Sequence, residues 1–153
     1  MSVVILYGTE TGNCELVADA ISDVLAADHD PSIYDMSEFA VEDLDPADFL
    51  VVVCSTYGEG ELPTGAEPFA EELTSVNPDL TGLRFAVFGL GDTVYGETFN
   101  RGGEIMAEML TKHGAVQVGE HARHDNSSPI KPAKQATEWA QVLTSIIEPV
   151  NAN

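Results

Sequence analysis

Short runs of aliphatic and β-branched residues alternate with longer amphipathic segments along this 153-residue chain. The clearest run, residues 49–54 (FLVVVC), is continuously apolar, as expected for a strand buried on both faces of a sheet. Such alternation is typical of a parallel sheet covered by helices. The pattern predicts strands at residues 3–7, 32–35, 49–54, 84–89 and 115–119, and helices at 13–27, 68–76, 101–113 and 133–148.

This order of elements predicts a single α/β domain over residues 1–153, with a doubly wound, five-stranded parallel sheet in the strand order 2-1-3-4-5. Right-handed crossovers place helices on both faces of such a sheet. Ligands then bind outside the carboxyl ends of the strands, at the point where the strand order reverses. The loops after the first, third and fourth strands are therefore the candidate site.

Helical periodicity predicts which side chains face the sheet. The predicted core face of the first helix is Leu16, Val17, Ala20, Ile21, Val24 and Leu25, and that of the last helix is Trp139, Val142, Leu143, Ile146 and Ile147. Cys54 ends the third strand and is expected to be an inert core residue. Residues 121–126 (HARHDN) are expected to form a polar loop without a role.

The charge of the chain excludes several classes of partner. Its 26 acidic and six basic residues give a formal net charge of −20, which repels nucleic-acid phosphates and anionic lipid surfaces. The same field attracts a basic protein partner, although a merely solvated surface or a salt-tolerant source would also account for it. The residues predicted to flank the candidate site as an acidic docking face are Asp43, Asp45, Asp48, Glu59, Glu61, Glu67, Glu71 and Glu72.

Membrane and metal-binding classes are also disfavoured. No apolar run approaches the ~20 residues that a bilayer span requires, and the first residues lack the basic region of a signal peptide, so we expect a cytoplasmic location. Because no exposed apolar stripe stands out in the sequence, we expect a monomer. The two cysteines and four histidines show no metal-ligand spacing, and we expect no metal site.

The first candidate loop, residues 8–14 (GTETGNC), joins a strand to a helix N-terminus. Free amides and the helix dipole at such a position form a site for an anion such as a terminal phosphate. Neither the P-loop lysine pattern nor G-x-G-x-x-G is present, and an ordinary capped helix start is the alternative. The candidate phosphate ligands are Thr9, Glu10, Thr11, Gly12, Asn13 and Cys14.

The second and third loops, residues 55–63 (STYGEGELP) and 89–100 (GLGDTVYGETFN), share one composition. Each combines glycines, which allow close approach of the backbone, with an aromatic side chain that offers stacking area. Plain turns, with Tyr95 and Phe99 in the core, are the alternative. The candidate ligands of a flat, phosphorylated aromatic cofactor are Ser55, Thr56, Tyr57, Gly58, Glu59, Gly60, Leu90, Gly91, Asp92, Tyr95, Phe99 and Asn100.

In this order and spacing, the three motifs resemble those of flavodoxin-like FMN-binding proteins, above all short-chain MioC-type flavodoxins and the FMN domains of diflavin reductases. The resemblance covers the whole chain and implies a flavodoxin-like fold with non-covalently bound FMN. The chain lacks the insertion that splits the fifth strand of long-chain flavodoxins.

The resemblance also implies a role for each loop. The FMN phosphate would lie on the amides of residues 10–14, with hydroxyl groups from Thr9 and Thr11. The isoalloxazine ring would lie between Tyr57 and Tyr95, with Gly58 near the flavin N5. Two departures from the family pattern concern the phosphate: residue 14 is Cys where many relatives have Thr or Ala, and residue 10 is Glu in place of a common Gln.

The implied function is that of an electron carrier that shuttles single electrons from a reductase to an acceptor enzyme, with no catalytic residue or substrate turnover of its own. Because fully reduced FMN is anionic, we expect the acidic surroundings to lower the potential of its second one-electron reduction. An FMN-dependent NAD(P)H or quinone reductase of the same fold is the alternative, although no basic cluster for a pyridine-nucleotide phosphate is visible. A phospho-acceptor receiver domain is disfavoured, because no Asp ends the third strand and no Lys ends the fifth.

Overall fold

The predicted strands and helices form with bounds close to those expected. A computed structural model describes residues 3–8, 13–27, 29–55, 66–91, 101–119, 121–125 and 129–147, without the side chains of residues 13, 55 and 101. The strands are β1 (Val3–Gly8), β2 (Pro31–Asp35), β3 (Phe49–Ser55), β4 (Arg84–Gly91), β5 (Val116–Gln117) and β6 (Ala122–Asp125). The helices are α1 (Asn13–Leu25), α2 (Glu67–Val76), α3 (Arg101–Lys112) and α4 (Pro132–Ile147), and two short 3-10 turns lie at Met36–Glu38 and Val41–Asp43.

The sheet is parallel, and its strand order β2-β1-β3-β4-β5 confirms the predicted 2-1-3-4-5 arrangement. Two short strands share the fifth position, because β5 pairs with the start of β4 and β6 with its end. Between them the Val118 N–H donates to the Phe85 carbonyl at 2.8 Å, which extends the ladder beyond β5. The fifth strand therefore reaches further along the chain than predicted.

Residues 121–126 were expected to form a polar loop. This expectation was wrong, because residues 122–125 form strand β6. Ala122 and His124 are buried on one side of this strand, and Arg123 between them is exposed. A histidine is tolerated at the inward position because its Nε2 donates a hydrogen bond to the Ile130 carbonyl at 2.8 Å. The segment therefore shows the alternation of buried and exposed side chains that is typical of a strand, although most of its residues are polar.

Two hydrophobic cores lie on opposite faces of the sheet. Full burial of one large apolar side chain contributes roughly 1.5–3 kcal/mol, so both layers are needed to hold the helices in place. The core under α1 and α4 includes Ile5, Val51, Phe88, Ile21 and Leu143. The core under α2 and α3 includes Leu6, Val52, Val87, Phe69 and Leu110.

The helix faces differ in part from the prediction. Leu16 and Val142, both expected in the core, are 60% and 63% exposed. Small residues take the inward positions instead, with Ala18 on α1 and Ala136 and Ala140 on α4 fully buried. Helices α1 and α4 pack against each other as well as against the sheet, and small side chains allow that close approach.

Left-handed residues follow two of the helices. Asn77 closes α2 at φ 50°, and its N–H donates to the Leu73 carbonyl at 3.1 Å. Gly114, which follows α3, has φ 103°. A Cβ at Gly114 would also lie 2.8 Å from the Thr81 hydroxyl oxygen, so both conformation and space require glycine.

Candidate functional site

The strand register brings the ends of β1, β3 and β4 together. Gly8 lies opposite Cys54, and Cys54 lies opposite Gly89 in the next strand. Ser55 lies opposite Leu90. Because the strands are parallel, the chain leaves them for the three motif loops at neighbouring points on one edge of the sheet, which we call the carboxyl edge.

Most of the predicted cofactor ligands lie outside the described residues. The described part includes the backbone of Asn13, Ser55 and Gly91 and the side chains of Cys14 and Leu90. The roles of the remaining ligands stay predictions. These ligands are Thr9, Glu10, Thr11, Gly12, Thr56, Tyr57, Gly58, Glu59, Gly60, Asp92, Tyr95, Phe99 and Asn100.

Helix α1 begins at Asn13, directly after the first motif loop, so its N-terminus lies at the carboxyl edge. The first N–H groups of a helix have no partner within the helix, and the helix dipole is positive there, so this end favours an anion. The Cys14 side chain is fully buried in the core under α1 and α4. The backbone amide of Cys14 is therefore the group that can bind an anion, because its thiol is packed in the core.

A close contact joins the end of β1 to the start of α2. A Cβ at Gly8 would lie 2.6 Å from the Ala66 Cβ and 2.9 Å from the Met36 Sδ. Gly8 ends β1, and Ala66 is the N-cap residue of α2, three residues after the last residue of the second motif loop. Only glycine allows the two segments to approach this closely. Gly8 therefore belongs to the site architecture, and its signal in the sequence is the first glycine of the GTETGNC motif.

Sequence reasoning missed Tyr7, which precedes Gly8 in β1. Its hydroxyl donates a hydrogen bond to the carboxylate of Glu15, in the first turn of α1. Burial, and next the carboxylates of Glu15, Asp35 and Glu38, raise the pKa of Tyr7 above its ordinary value. At the β1–β2 side of the carboxyl edge, the neutral hydroxyl of Tyr7 therefore lies among several carboxylates.

On the other side of the edge, an ion pair joins β6 to α3. The Arg123 Nη1 lies 2.7 Å from the Glu104 Oε2, in the first turn of α3, which follows the third motif loop. His121 lies against the same turn, because a Cβ at Gly103 would be 3.0 Å from its Nε2. Burial first, and then the Arg123 guanidinium, lower the pKa of His121 to about 4 against the opposing effect of Glu104. A segment expected to have no role therefore positions the start of α3.

The acidic residues predicted as one docking face lie in different places. Glu67 begins α2 at the carboxyl edge, whereas Asp48 precedes the first residue of β3 at the opposite edge. The Asp48 N–H bonds to the Asp45 carbonyl at 2.9 Å, so Asp45 is at that opposite edge too. The Glu72 carboxylate accepts the Val41 N–H and holds the second 3-10 turn. The prediction that all of these residues flank the candidate site was wrong for Asp45 and Asp48; Glu59 and Glu61 are outside the described residues.

Cys54 is fully buried, and burial raises the pKa of its thiol, which confirms an inert core residue. Over the described ranges, no three side chains of His, Cys, Asp or Glu are grouped so that they could hold a metal ion. Nor does any helix in that part of the chain have the length and apolar character needed to cross a membrane.

Comparison with known proteins agrees with this architecture. The sequence profile of the Flavodoxin family matches residues 5–139. The chain is 32% identical to the MioC homolog of Haemophilus influenzae over 155 residues, covering 97% of this chain and 98% of that protein. The flavodoxin of Pseudomonas aeruginosa, solved as a cysteine-to-alanine mutant, superposes with a TM-score of 0.86 at 32% identity, covering 97% of this chain and 99% of that one.

Larger proteins match over one part of their length. The chain is 33% identical to NADPH–cytochrome P450 reductase of Rattus norvegicus over 138 residues, which covers 85% of this chain and only 20% of that protein. The chain thus spans about a fifth of the length of these reductases. With a family profile over most of its length, a matching strand order and full-length relatives, the chain belongs to the flavodoxin family of FMN-binding electron-transfer proteins.

Proposed function

We propose that this protein carries single electrons on FMN from a reductase to an acceptor enzyme and turns over no substrate of its own. The observation that carries the proposal is the register of Gly8 with Cys54 and of Cys54 with Gly89. This register starts the three motif loops side by side, where one flat ligand can contact all of them. The match to the flavodoxin family supports FMN as that ligand.

The described residues fit FMN in two respects. The N-terminus of α1 at Asn13 places the first amides of a helix where a terminal phosphate can bind, and the Gly8–Ala66 contact brings the end of β1 close to the start of α2. We propose that residues 9–14 bind the phosphate and that Tyr57 and Tyr95 lie on the two sides of the ring. The other proposed contacts come from Ser55, Thr56, Gly58, Glu59, Gly60, Leu90, Gly91, Asp92, Phe99 and Asn100.

Bound FMN supplies the redox chemistry, since it accepts and releases electrons one at a time. The chain's own contribution is electrostatic. Asp35 and Glu38 lie near Tyr7 at the β1–β2 side of the carboxyl edge, and Glu67 begins α2 at the same edge. Negative charges at this position disfavour a further negative charge on the cofactor, so the proposed carrier is a strong reductant in its second step.

The same charges supply the proposed docking face. Glu15, Asp35, Glu38, Glu67 and Glu71 lie on the segments that end or begin near the carboxyl edge. We propose that a basic face of the reductase and of the acceptor docks here, steered by long-range attraction. The proposal also includes a monomeric, single-domain, cytoplasmic protein over residues 1–153, with no nucleic-acid or membrane partner.

Steady-state electron transfer tests the shuttle directly. The FMN-loaded protein is mixed with NAD(P)H, first alone and then with a separately purified NAD(P)H-dependent flavoprotein reductase and a haem-protein acceptor. A carrier is reduced only when the reductase is present and then reduces the acceptor at a rate that falls with added salt. Direct oxidation of NAD(P)H by the protein alone would establish the alternative reductase and overturn the proposal.

A further inference from the structure

A cleft lies beside the edge strand β2 and extends from Glu38, near the carboxyl edge, to Asp48 at the opposite edge. Its volume is about 370 Å3, and Val4 and Ser32, neighbours across the β1–β2 pairing, form its floor. The chain from residue 36 to residue 48, with its two 3-10 turns, runs along the other side. Val4 lies four residues before the end of β1, so this part of the cleft is roughly 13 Å from the carboxyl edge.

Two aromatic rings line the cleft at fixed positions. Tyr34 is 44% exposed, and its ring centroid lies 5.1 Å from that of Phe39 at an interplanar angle of 51°. Phe39 in turn lies 6.5 Å from Phe69, a fully buried residue of α2. Phe39 thus connects the exposed ring of Tyr34 to the core residue Phe69.

Carboxylates complete the lining, from Glu38, Asp43 and Asp48. Asp35 accepts hydrogen bonds from the Ser37 N–H at 2.9 Å and the Ser37 hydroxyl at 2.8 Å, which fixes the turn that carries Glu38. The bond from the Val41 N–H to the Glu72 carboxylate fixes the turn that carries Asp43. None of the described residues that line the cleft is a lysine or an arginine.

A cleft that is lined by aromatic rings and carboxylates favours the binding of a planar cation. A guanidinium group stacks on aromatic faces and pairs with carboxylates through a planar fork, and it is more weakly hydrated than an ammonium group. The net charge of −20 draws basic proteins to the surface, but only a shaped cleft distinguishes one cation from another. We propose that this cleft, which extends from Glu38 near the carboxyl edge to Asp48 at the opposite edge, binds an arginine side chain of a basic partner protein as an anchor.

This anchor would hold a partner beside the docking face at the carboxyl edge, and in this respect it rests on the proposed function. The test is a titration of the 15N-labelled, FMN-loaded protein with N-acetyl-arginine amide, followed by 1H–15N correlation spectra. We expect saturable shifts in the amides of Ser32, Tyr34, Phe39 and Asp43. N-acetyl-lysine amide is expected to bind more weakly, by about threefold, because its ammonium stacks less well. Shifts spread over all acidic surfaces without saturation would overturn the proposal.

Matched variants separate the cleft from overall charge. Asp43→Asn and Tyr34→Leu should each weaken binding of the arginine probe by about threefold, a typical effect for one exposed charge pair or one ring. Glu42→Gln removes the same charge from the adjacent exposed residue outside the lining and should leave binding unchanged. An equal loss in Glu42→Gln and Asp43→Asn would contradict the proposal. The proposal would also be contradicted if the NMR signals of the cleft amides shifted when the protein was diluted without a probe. Such shifts would identify a second copy of this chain as the occupant of the cleft.

Discussion

Gly8 and Ala66 pack so closely that a Cβ on Gly8 would lie 2.6 Å from the Ala66 Cβ. The contact joins the strand that leads into the first motif loop to the helix that follows the second. The end of β1 and the start of α2, which are far apart in sequence, are therefore held close together by this packing. We expect this spacing to influence how well the loops that adjoin them contact one cofactor.

Gly8→Ala should separate these segments. Overpacking of this kind costs typically 1–3 kcal/mol of unfolding free energy, and we also expect FMN affinity to fall by at least about tenfold because the loops no longer close on the cofactor. Denaturant unfolding of the apoprotein and a fluorescence titration with FMN measure the two effects.

Gly82→Ala is the matched control. Gly82 has φ 98° with no atom closer than 4.0 Å to a Cβ, so alanine there introduces backbone strain without a clash and far from the carboxyl edge. It should lower stability and leave FMN affinity unchanged. Loss of FMN affinity in both variants would show that Gly8 acts only through stability.

Both thiols should be unreactive in the folded protein. Cys14 and Cys54 are fully buried, and burial raises the pKa of Cys54, so neither offers an accessible thiolate. A thiol reagent at neutral pH should label them only when denaturant is added. Rapid labelling of Cys14 without denaturant would show that the N-terminal turn of α1 opens readily, which would contradict a preformed phosphate site.

The histidine beside α3 should make stability depend on pH. The pKa of His121 is lowered from 6.5 to about 4, so between these values the unfolded chain binds the proton and the folded chain does not. Stability from this group is fully present above pH 6.5 and is lost as the pH falls toward 4. His121→Gln should flatten this dependence in thermal unfolding measured from pH 7 to pH 4.

Two further variants test what lowers the pKa of His121. Arg123→Gln removes a positive neighbour and should raise the pKa of His121, whereas Glu104→Gln should lower it further. Titration of the His121 ring protons by NMR reads the direction of each change. Shifts of the opposite sign would refute the assigned electrostatic roles.

The Arg123–Glu104 ion pair should contribute little energy of its own. The two side chains are 39% and 34% exposed, and exposed pairs typically contribute 0.2–1 kcal/mol. A double-mutant cycle with Arg123→Gln and Glu104→Gln, analysed by denaturant unfolding, measures the coupling. A coupling well above about 1 kcal/mol would mean that the pair is more strongly desolvated than its exposure indicates.

Some features of the fold follow from local sequence, and others do not. Residues 49–54 are apolar without interruption, so β3 and its central position were predictable. Strand β6 was missed because His124 occupies an inward position, where its hydrogen bond to Ile130 replaces apolar packing. Leu16 and Val142 were misassigned because hydrophobic periodicity gives little weight to the alanines that occupy the helix interface.

The position of the site was predictable from the order of the motifs, whereas its supporting contacts were not. Parallel strand order places the ends of β1, β3 and β4 together whatever the side chains are. The Gly8–Ala66 contact and the bond from Val41 to Glu72 join residues distant in sequence. No local sequence pattern predicts such contacts, because they depend on how α2 packs against the sheet.

We expect this chain to be a one-electron FMN carrier with a low second potential. A spectroelectrochemical titration of the purified protein, loaded with FMN under anaerobic conditions, tests it most directly. We predict one FMN per chain, reduced in two separable one-electron steps, the second at a more negative potential than for free FMN. Failure to bind FMN, or a second step no more negative than that of free FMN, would contradict the account.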